Sequence, residues 1–314
     1  MTINTITVLG GSGFVGTHII SQLCRLNKQI RVLTRRKDKC RHLLVLPNVT
    51  VIETDIHDQH NLDKAFKDSD AVINLVGILN ERGHAGEGFR WVHFELPRKI
   101  LNACHTNKVK RILHMSALHA DANSGPSHYL RSKGEGENHL HAFAGKIHVT
   151  SIRPSVIFGP DDSFFNRFAG LLQLSPIVFP LACAGAKFAP VYVEDVARCF
   201  VEALEDKSSY GLRKDLCGPK QYSLKQLVEY TTKVLGLYRK IIPLPDFAAR
   251  LQANLLEWFP GKPFSMDNYN SLKIDSICNK GTPQSTSIES VVPYYLGNKQ
   301  LRTRQNQQRQ LSRR

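Results

Sequence analysis

The sequence predicts an α/β fold built on a doubly wound parallel sheet, with a smaller α+β lobe toward the C-terminus. Three observations carry that expectation. A short apolar run, Ile6-Thr7-Val8-Leu9, feeds a glycine turn, Gly10-Gly11-Ser12-Gly13-Phe14-Val15-Gly16. The turn feeds a stretch with apolar residues at helical spacing: Phe14, Val15, Ile19, Ile20, Leu23 and Leu26. Strand-like runs then alternate with helical patterns through the first half of the chain. After Gly159-Pro160 the rhythm breaks and prolines accumulate.

Strands are expected at Thr5–Leu9, Ile30–Thr34, Val49–Glu53, Ala71–Leu75, Arg111–Met115 and His148–Ile152. Helical patterns fall between them, near Phe14–Asn27, Asn61–Phe66, Arg90–Asn107 and His128–Ala144. Right-handed crossovers would bring the strand C-termini to one edge, where ligands bind in such sheets. Leu9, Thr34, Asp55, Asn74, Ser116 and Arg153 are expected near it. The second half shows helical patterns at Val193–Glu205, Ser223–Leu235 and Asp246–Trp258. Three regions follow: a nucleotide-binding domain over 1–160, a smaller lobe over 161–297, and a basic tail over 298–314. The smaller lobe is expected to cover the nucleotide edge, with Phe188–Glu205 returning to the main sheet.

The glycine turn is the first candidate site. Gly10 allows a tight turn, Gly13 lets the backbone approach a pyrophosphate, and Gly16 lets the helix pack close to the strand. The N–H groups of Phe14 and Val15 would face the anion, aided by the helix dipole. The end of the second strand reads Leu33-Thr34-Arg35-Arg36. An acid there would bond the ribose hydroxyls of NAD. Two arginines after Thr34 instead suit a 2′-phosphate, so NADP(H) is preferred and NAD(H) is the alternative. Asp55 and Ile56 follow the third strand, where the Asp55 carboxylate would accept from an adenine amine. Leu75, Val76 and Gly77 end the fourth and would line the cofactor ribose.

A second constellation is Tyr129-Leu130-Arg131-Ser132-Lys133. Residues four apart share a helix face. An ammonium beside a phenol stabilises the phenolate, so Tyr129 would exchange a proton while Lys133 tunes it and anchors the ribose.

These residues resemble the short-chain dehydrogenase/reductase superfamily, and within it the extended, NAD-dependent epimerase/dehydratase-like branch. The glycine turn, Asp55, Asn74–Gly77, Tyr129, Lys133 and Arg153-Pro154-Ser155-Val156-Ile157-Phe158-Gly159-Pro160 occur in the order of that pattern. The resemblance is closest to the atypical group around the NADPH-binding accessory subunit of respiratory complex I. It rests on Val92-His93, Leu113–Leu118, Ser127–Lys133 and Pro190–Ala197. It implies a Rossmann-like domain, tight nucleotide binding, and a role for Pro154, Ser155 and Val156 in lining the nicotinamide. It also implies a Ser or Thr slightly beyond the fifth strand that polarises a carbonyl. That place falls near Ala117 or Leu118, so Ser116 sits one step early as a weak orienting group. Two functions stay open: an NADP(H)-dependent oxidoreductase, and a non-catalytic NADPH-binding module of a membrane-associated respiratory assembly.

Composition narrows the partners. The net charge is +15, and residues 299–314 carry six basic side chains and no acid. Such a tail reads as disordered and solvated, and no specific nucleic-acid partner is expected. Residues 168–186 contain no charged side chain, which suits ordinary core or a lid over a small apolar or quinone-like substrate. The seven cysteines are widely spaced with no CxxC pair, so reduced buried thiols are expected. The thirteen histidines show no metal-ligand pattern. No apolar run is long enough to span a bilayer, and the first strand begins close to Met1. A cytoplasmic protein, peripheral at the inner membrane in the respiratory reading, is the resulting expectation.

Overall fold

A computed structural model describes residues 3–259, 262–279 and 283–297. The strands are β1 (Thr5–Leu9), β2 (Gln29–Thr34), β3 (Val49–Glu53), β4 (Ala71–Asn74), β5 (Arg111–Met115), β6 (His148–Pro154), β7 (Ile157–Phe158), β8 (Val178–Leu181), β9 (Lys187–Phe188), β10 (Val191–Tyr192), β11 (Arg213–Leu216), β12 (Tyr222–Ser223) and β13 (Lys240–Pro243). The helices are α1 (Phe14–Arg25), α2 (Arg41–Leu44), α3 (Gln59–Ala65), α4 (Glu87–Arg90), α5 (Leu96–Thr106), α6 (His128–Ala142), α7 (Phe165–Leu174), α8 (Val193–Glu205), α9 (Leu224–Val234), α10 (Asp246–Leu256) and α11 (Met266–Ser271). Residues 288–297 are also helical. The basic segment 298–314, expected to be disordered, lies outside the described residues.

The chain forms two compact units. The first comprises Met1–Pro154 and Glu194–Leu216. It holds a seven-stranded sheet in the order β11-β6-β5-β4-β1-β2-β3, with every neighbouring pair parallel. The order reverses between β1 and β4, the switch point at which such sheets open a crevice. The central strands are buried on both faces, which is why β1, β4 and β5 read as nearly continuous apolar runs. The apolar face of α1 (Ile19, Ile20, Leu23) is buried against this sheet's core.

The seventh strand escaped the sequence reading. β11 is Arg-Lys-Asp-Leu, pairs only with β6, and leaves Arg213 and Asp215 exposed at the sheet edge. A charged edge strand carries no hydrophobic period to find. The segment that returns to the sheet is thus 194–216, while β9 and β10, expected to travel with it, pair within the second unit.

The second unit comprises Ser155–Val193 and the residues from Cys217 onward. Its core gathers Phe158, Phe165, Leu172, Leu227, Val228 and Val292. The uncharged stretch 168–186 divides at Pro176: α7 ends at Leu174, and β8 pairs in parallel with β13. Phe164 packs edge to face with both Phe165 and Phe168. The cysteine expectation is corrected at one pair. Cys217 and Cys278, 61 positions apart, form a disulfide, and the other five are free thiols. Tertiary proximity decides such a bridge, and sequence spacing carries no trace of it. Among the described residues no helix is long and apolar enough to cross a membrane.

Candidate nucleotide site

The glycine turn follows β1 and opens α1. Gly10 takes φ +77°, a left-handed conformation costly for any other residue, and its carbonyl accepts from Gly13 N–H at 3.1 Å. A Cβ at Gly16 would stand 2.5 Å from the Gly10 carbonyl oxygen and 2.6 Å from Gly11 Cα. The helix therefore lies in backbone contact with the turn. Gly13 caps α1 without a side-chain bond, and the first turn carries no acid. The N–H groups of that turn have no intrahelical acceptor. A small, uncharged, donor-rich helix start fits a pyrophosphate.

Two neighbouring strand ends hold the loop beside this turn. Leu75 N–H donates to the Leu9 carbonyl at 3.0 Å. Asn74 is buried; its Oδ1 accepts from Val76 N–H at 3.1 Å and its Nδ2 faces His114 Nδ1 at 3.2 Å. His93 Nε2 accepts from Ile78 N–H at 3.1 Å, so the ring proton sits on Nδ1 and is donated to Ser132 Oγ at 3.0 Å. Ser132 passes its own proton to the Tyr129 carbonyl at 3.0 Å. Burial, reinforced by the Lys133 charge, holds His93 well below the ordinary histidine range and therefore neutral. Val76 and Ile78 are thus each held by a buried side chain.

The same packing places the Tyr–Lys pair. Ser127 caps α6 by accepting from Leu130 N–H. Two glycines bring α6 close: a Cβ at Gly136 would overlap the His93 carbonyl oxygen, and one at Gly134 would meet the backbone of Asp121 and Ala122. His93 itself lies in a π-helical turn at Trp91–Glu95, an irregularity often found at functional sites. Lys133 is buried and donates to the Met115 carbonyl at 3.0 Å, and a Cβ at Gly77 would stand 3.0 Å from its Nζ. Burial lowers its pKa to about 8, against an opposing pull from Glu137. Tyr129 is half-buried, its ring edge-on to His93 at 5.5 Å and to Phe89 at 6.1 Å.

One turn further along α6, Glu137 is fully buried and takes Arg153 at 2.7 Å, Arg213 at 2.5 Å and the Ser116 hydroxyl. Ser116 is 3% exposed, and its proton is committed to that carboxylate.

Residues 6–213 match the family described as NAD dependent epimerase/dehydratase. The chain belongs to that family. Among epimerase/dehydratase relatives, the mouse mitochondrial NADH dehydrogenase (ubiquinone) 1 alpha subcomplex subunit 9 is 34% identical over 247 residues, 76% of this chain and 63% of the mouse protein. The chain thus spans less than two thirds of that relative's length. Caulobacter vibrioides ceramide reductase is 28% identical over 249 residues, covering 77% and 74% of the two chains. The Thermus thermophilus UDP-glucose 4-epimerase, solved in complex with NAD, superposes with a TM-score of 0.65 at 18% identity, covering 84% of this chain and 98% of that one. That likeness shows a shared fold.

Against this epimerase/dehydratase frame, the first unit brings together Gly10, Gly13, Phe14, Val15, Gly16, Leu75, Val76, Gly77, Tyr129, Lys133 and Ser116 around the β1, β4 and β5 ends. Thr34 ends β2 and Arg35 and Arg36 follow it, with both arginines exposed. Asp55 Oδ1 caps a local turn at His57 N–H, and Ile56 is buried in the core. Pro154 ends β6 in the first unit; Ser155 and Val156 belong to the second, where Ser155 Oγ donates to the Ser276 carbonyl at 2.7 Å.

The sequence reading missed four side chains. Glu53 lies opposite Thr34 in the β2–β3 register, its carboxylate accepting from Lys37 N–H at 2.8 Å. His57 stacks on Trp91 at 5.1 Å. His93 and Glu137 organise Tyr129, Lys133 and Ser116. Glu137 had a usable signal, since Lys133, Glu137 and His141 recur every four residues on one face of α6.

Proposed function

We propose that this epimerase/dehydratase-family protein binds NADP(H) and reduces an apolar carbonyl or quinone-like substrate. The observation that carries the reading is the buried Lys133, held at the β5 end beside Gly77 on the face of α6 that also bears Tyr129. A buried ammonium is costly unless it has work to do on a polar ligand.

The residues fit a nicotinamide dinucleotide: the α1 start for the pyrophosphate, Leu75–Gly77 for the ribose, and Arg35 with Arg36 for the 2′-phosphate. The bound cofactor supplies hydride chemistry. Tyr129 donates the proton that a reduced carbonyl oxygen requires. Lys133, cationic at neutral pH, favours the resulting phenolate and bonds a ribose hydroxyl. Ser116 contributes by position, because its hydroxyl proton is already given to Glu137.

Tyr129→Phe tests the chemistry. Turnover of an accepted carbonyl should fall by roughly a hundredfold or more while NADPH affinity stays within about threefold. Unchanged turnover would remove Tyr129 as the proton donor. Arg35→Ala tests the cofactor: NADP(H) affinity should drop by about tenfold or more with NAD(H) little changed. Equal losses for both would sink the phosphate assignment.

A second reading is favoured by the Ser116–Glu137 bond, which leaves the site without that hydroxyl as a carbonyl donor. There the chain holds NADPH as a structural element of a membrane-associated respiratory assembly, as the mitochondrial relatives' names suggest. NADPH that co-purifies, leaves only on denaturation and resists oxidation by carbonyl and quinone panels would support it.

A further inference from the structure

We propose that the second unit docks on the surface of an anionic lipid bilayer through the outward face of α10. The helix is inverted in its use of residue size. Ala249 and Ala253 are the side chains it buries, against Ala182 and Tyr269. Phe247, Leu251 and Leu255 point to solvent, and at 100° per residue they share an arc of about 80°. Trp258, in the turn that follows, is 82% exposed.

The apolar face continues onto the neighbouring β8–β13 ribbon. Gln252 Nε2 donates to the Pro180 carbonyl at 3.4 Å, which ties α10 to that ribbon, and Leu244 N–H extends the ribbon's pairing to the Leu181 carbonyl at 3.0 Å. Val178 and Ile242 face outward from it, and Ile177 just before it is 70% exposed. Apolar side chains grouped along one helix and the adjoining ribbon, rather than scattered singly, are the pattern of an interaction surface.

Charge selects the occupant. Arg239, Lys240 and Arg250 lie within the same segments. The two acids of the α10 region are already engaged: Asp246 takes the Tyr269 hydroxyl, and Glu257 faces Lys262 Nζ at 3.8 Å. The surface therefore offers Phe, Trp and Leu beside basic groups, the combination that inserts aromatics at headgroup level and sets cations on lipid phosphates. Residues 298–314 do not suit the face, because they carry six basic side chains and only Leu301 and Leu311 as large apolar ones. A second copy would set like charges together on a chain of net charge +15.

The test is co-sedimentation of the full chain with phosphatidylcholine vesicles, with and without phosphatidylglycerol. Binding is expected to the anionic vesicles and to weaken as salt rises. Phe247→Ser/Leu251→Ser/Leu255→Ser should lower that binding by roughly tenfold or more, with melting temperature and NADPH affinity preserved. Arg239→Glu/Arg250→Glu should remove the preference for anionic vesicles. Failure of the natural chain to bind either vesicle overturns the proposal. So does vesicle binding indifferent to both variants, and so does a concentration-dependent dimer that the triple variant abolishes.

Discussion

Lys133→Met is expected to weaken NADPH binding by roughly tenfold to a hundredfold, the loss of a charge-assisted bond in a buried site. The same change should leave the fold as stable as before, or more so. Lys133 is buried with a pKa lowered to about 8, so its charge is a burden on the nucleotide-free protein. The sign follows from linkage: the folded chain releases this proton before the unfolded chain, whose lysine titrates near 10.5. The penalty is fully present below about pH 8 and is relieved as the pH climbs toward the unfolded value. Two measurements check this. Fluorescence titration should show NADPH affinity falling between about pH 7 and about pH 9 in the natural chain, with no such fall in the variant. Thermal melts at neutral pH should show the variant no less stable. A variant that binds NADPH normally would remove Lys133 from the site. One that melts far earlier would make it a structural lysine.

Arg111→Met is expected to cost about 3–5 kcal/mol of folding stability, lowering the melting temperature by roughly 10 °C. Arg111 lies on β5 and is 1% exposed. Its guanidinium donates to the carbonyls of Ala203 and Leu204 at 2.6 and 3.3 Å, the His148 carbonyl at 2.9 Å, Thr150 Oγ1 at 2.7 Å and Ser209 Oγ at 2.9 Å. Tyr210 covers it at 4.6 Å. None of these acceptors is a carboxylate. Burial pushes the arginine down to about 10, which still leaves it charged at neutral pH. Ala203 and Leu204 end α8, where the helix dipole favours a cation. Methionine would fill the volume and strand every acceptor. A circular-dichroism melt within about 2 °C of the natural chain would show that this hub does not hold residues 194–216 to the sheet.

Much of the first unit was legible because its physics is local. β1, the glycine turn and α1 announce themselves through an apolar run, four glycines and a helical period within 21 residues. The Tyr129 and Lys133 spacing needed only the helix repeat. What escaped depends on contacts remote in sequence. β11 has no hydrophobic period, the Cys217–Cys278 bridge joins positions 61 apart, and the π-helical turn that carries His93 leaves no composition signal. From its sequence position Ser116 reads as a weak orienting group at the end of the fifth strand. Its partner Glu137 stands on a different element, 21 residues later.

By itself the sequence determined the doubly wound sheet, the glycine turn at its head and the gathering of Ser116, Tyr129 and Lys133 near the strand ends. These follow from periodicity, from the conformational freedom of glycine and from the spacing of neighbours on one helix. Only the tertiary structure decided the protonation and engagement of those residues: that His93 is neutral, that Lys133 is a buried cation, and that Ser116 has given its proton away. Those states depend on desolvation and on hydrogen-bond partners brought together from separate elements, and neither exists until the chain has folded.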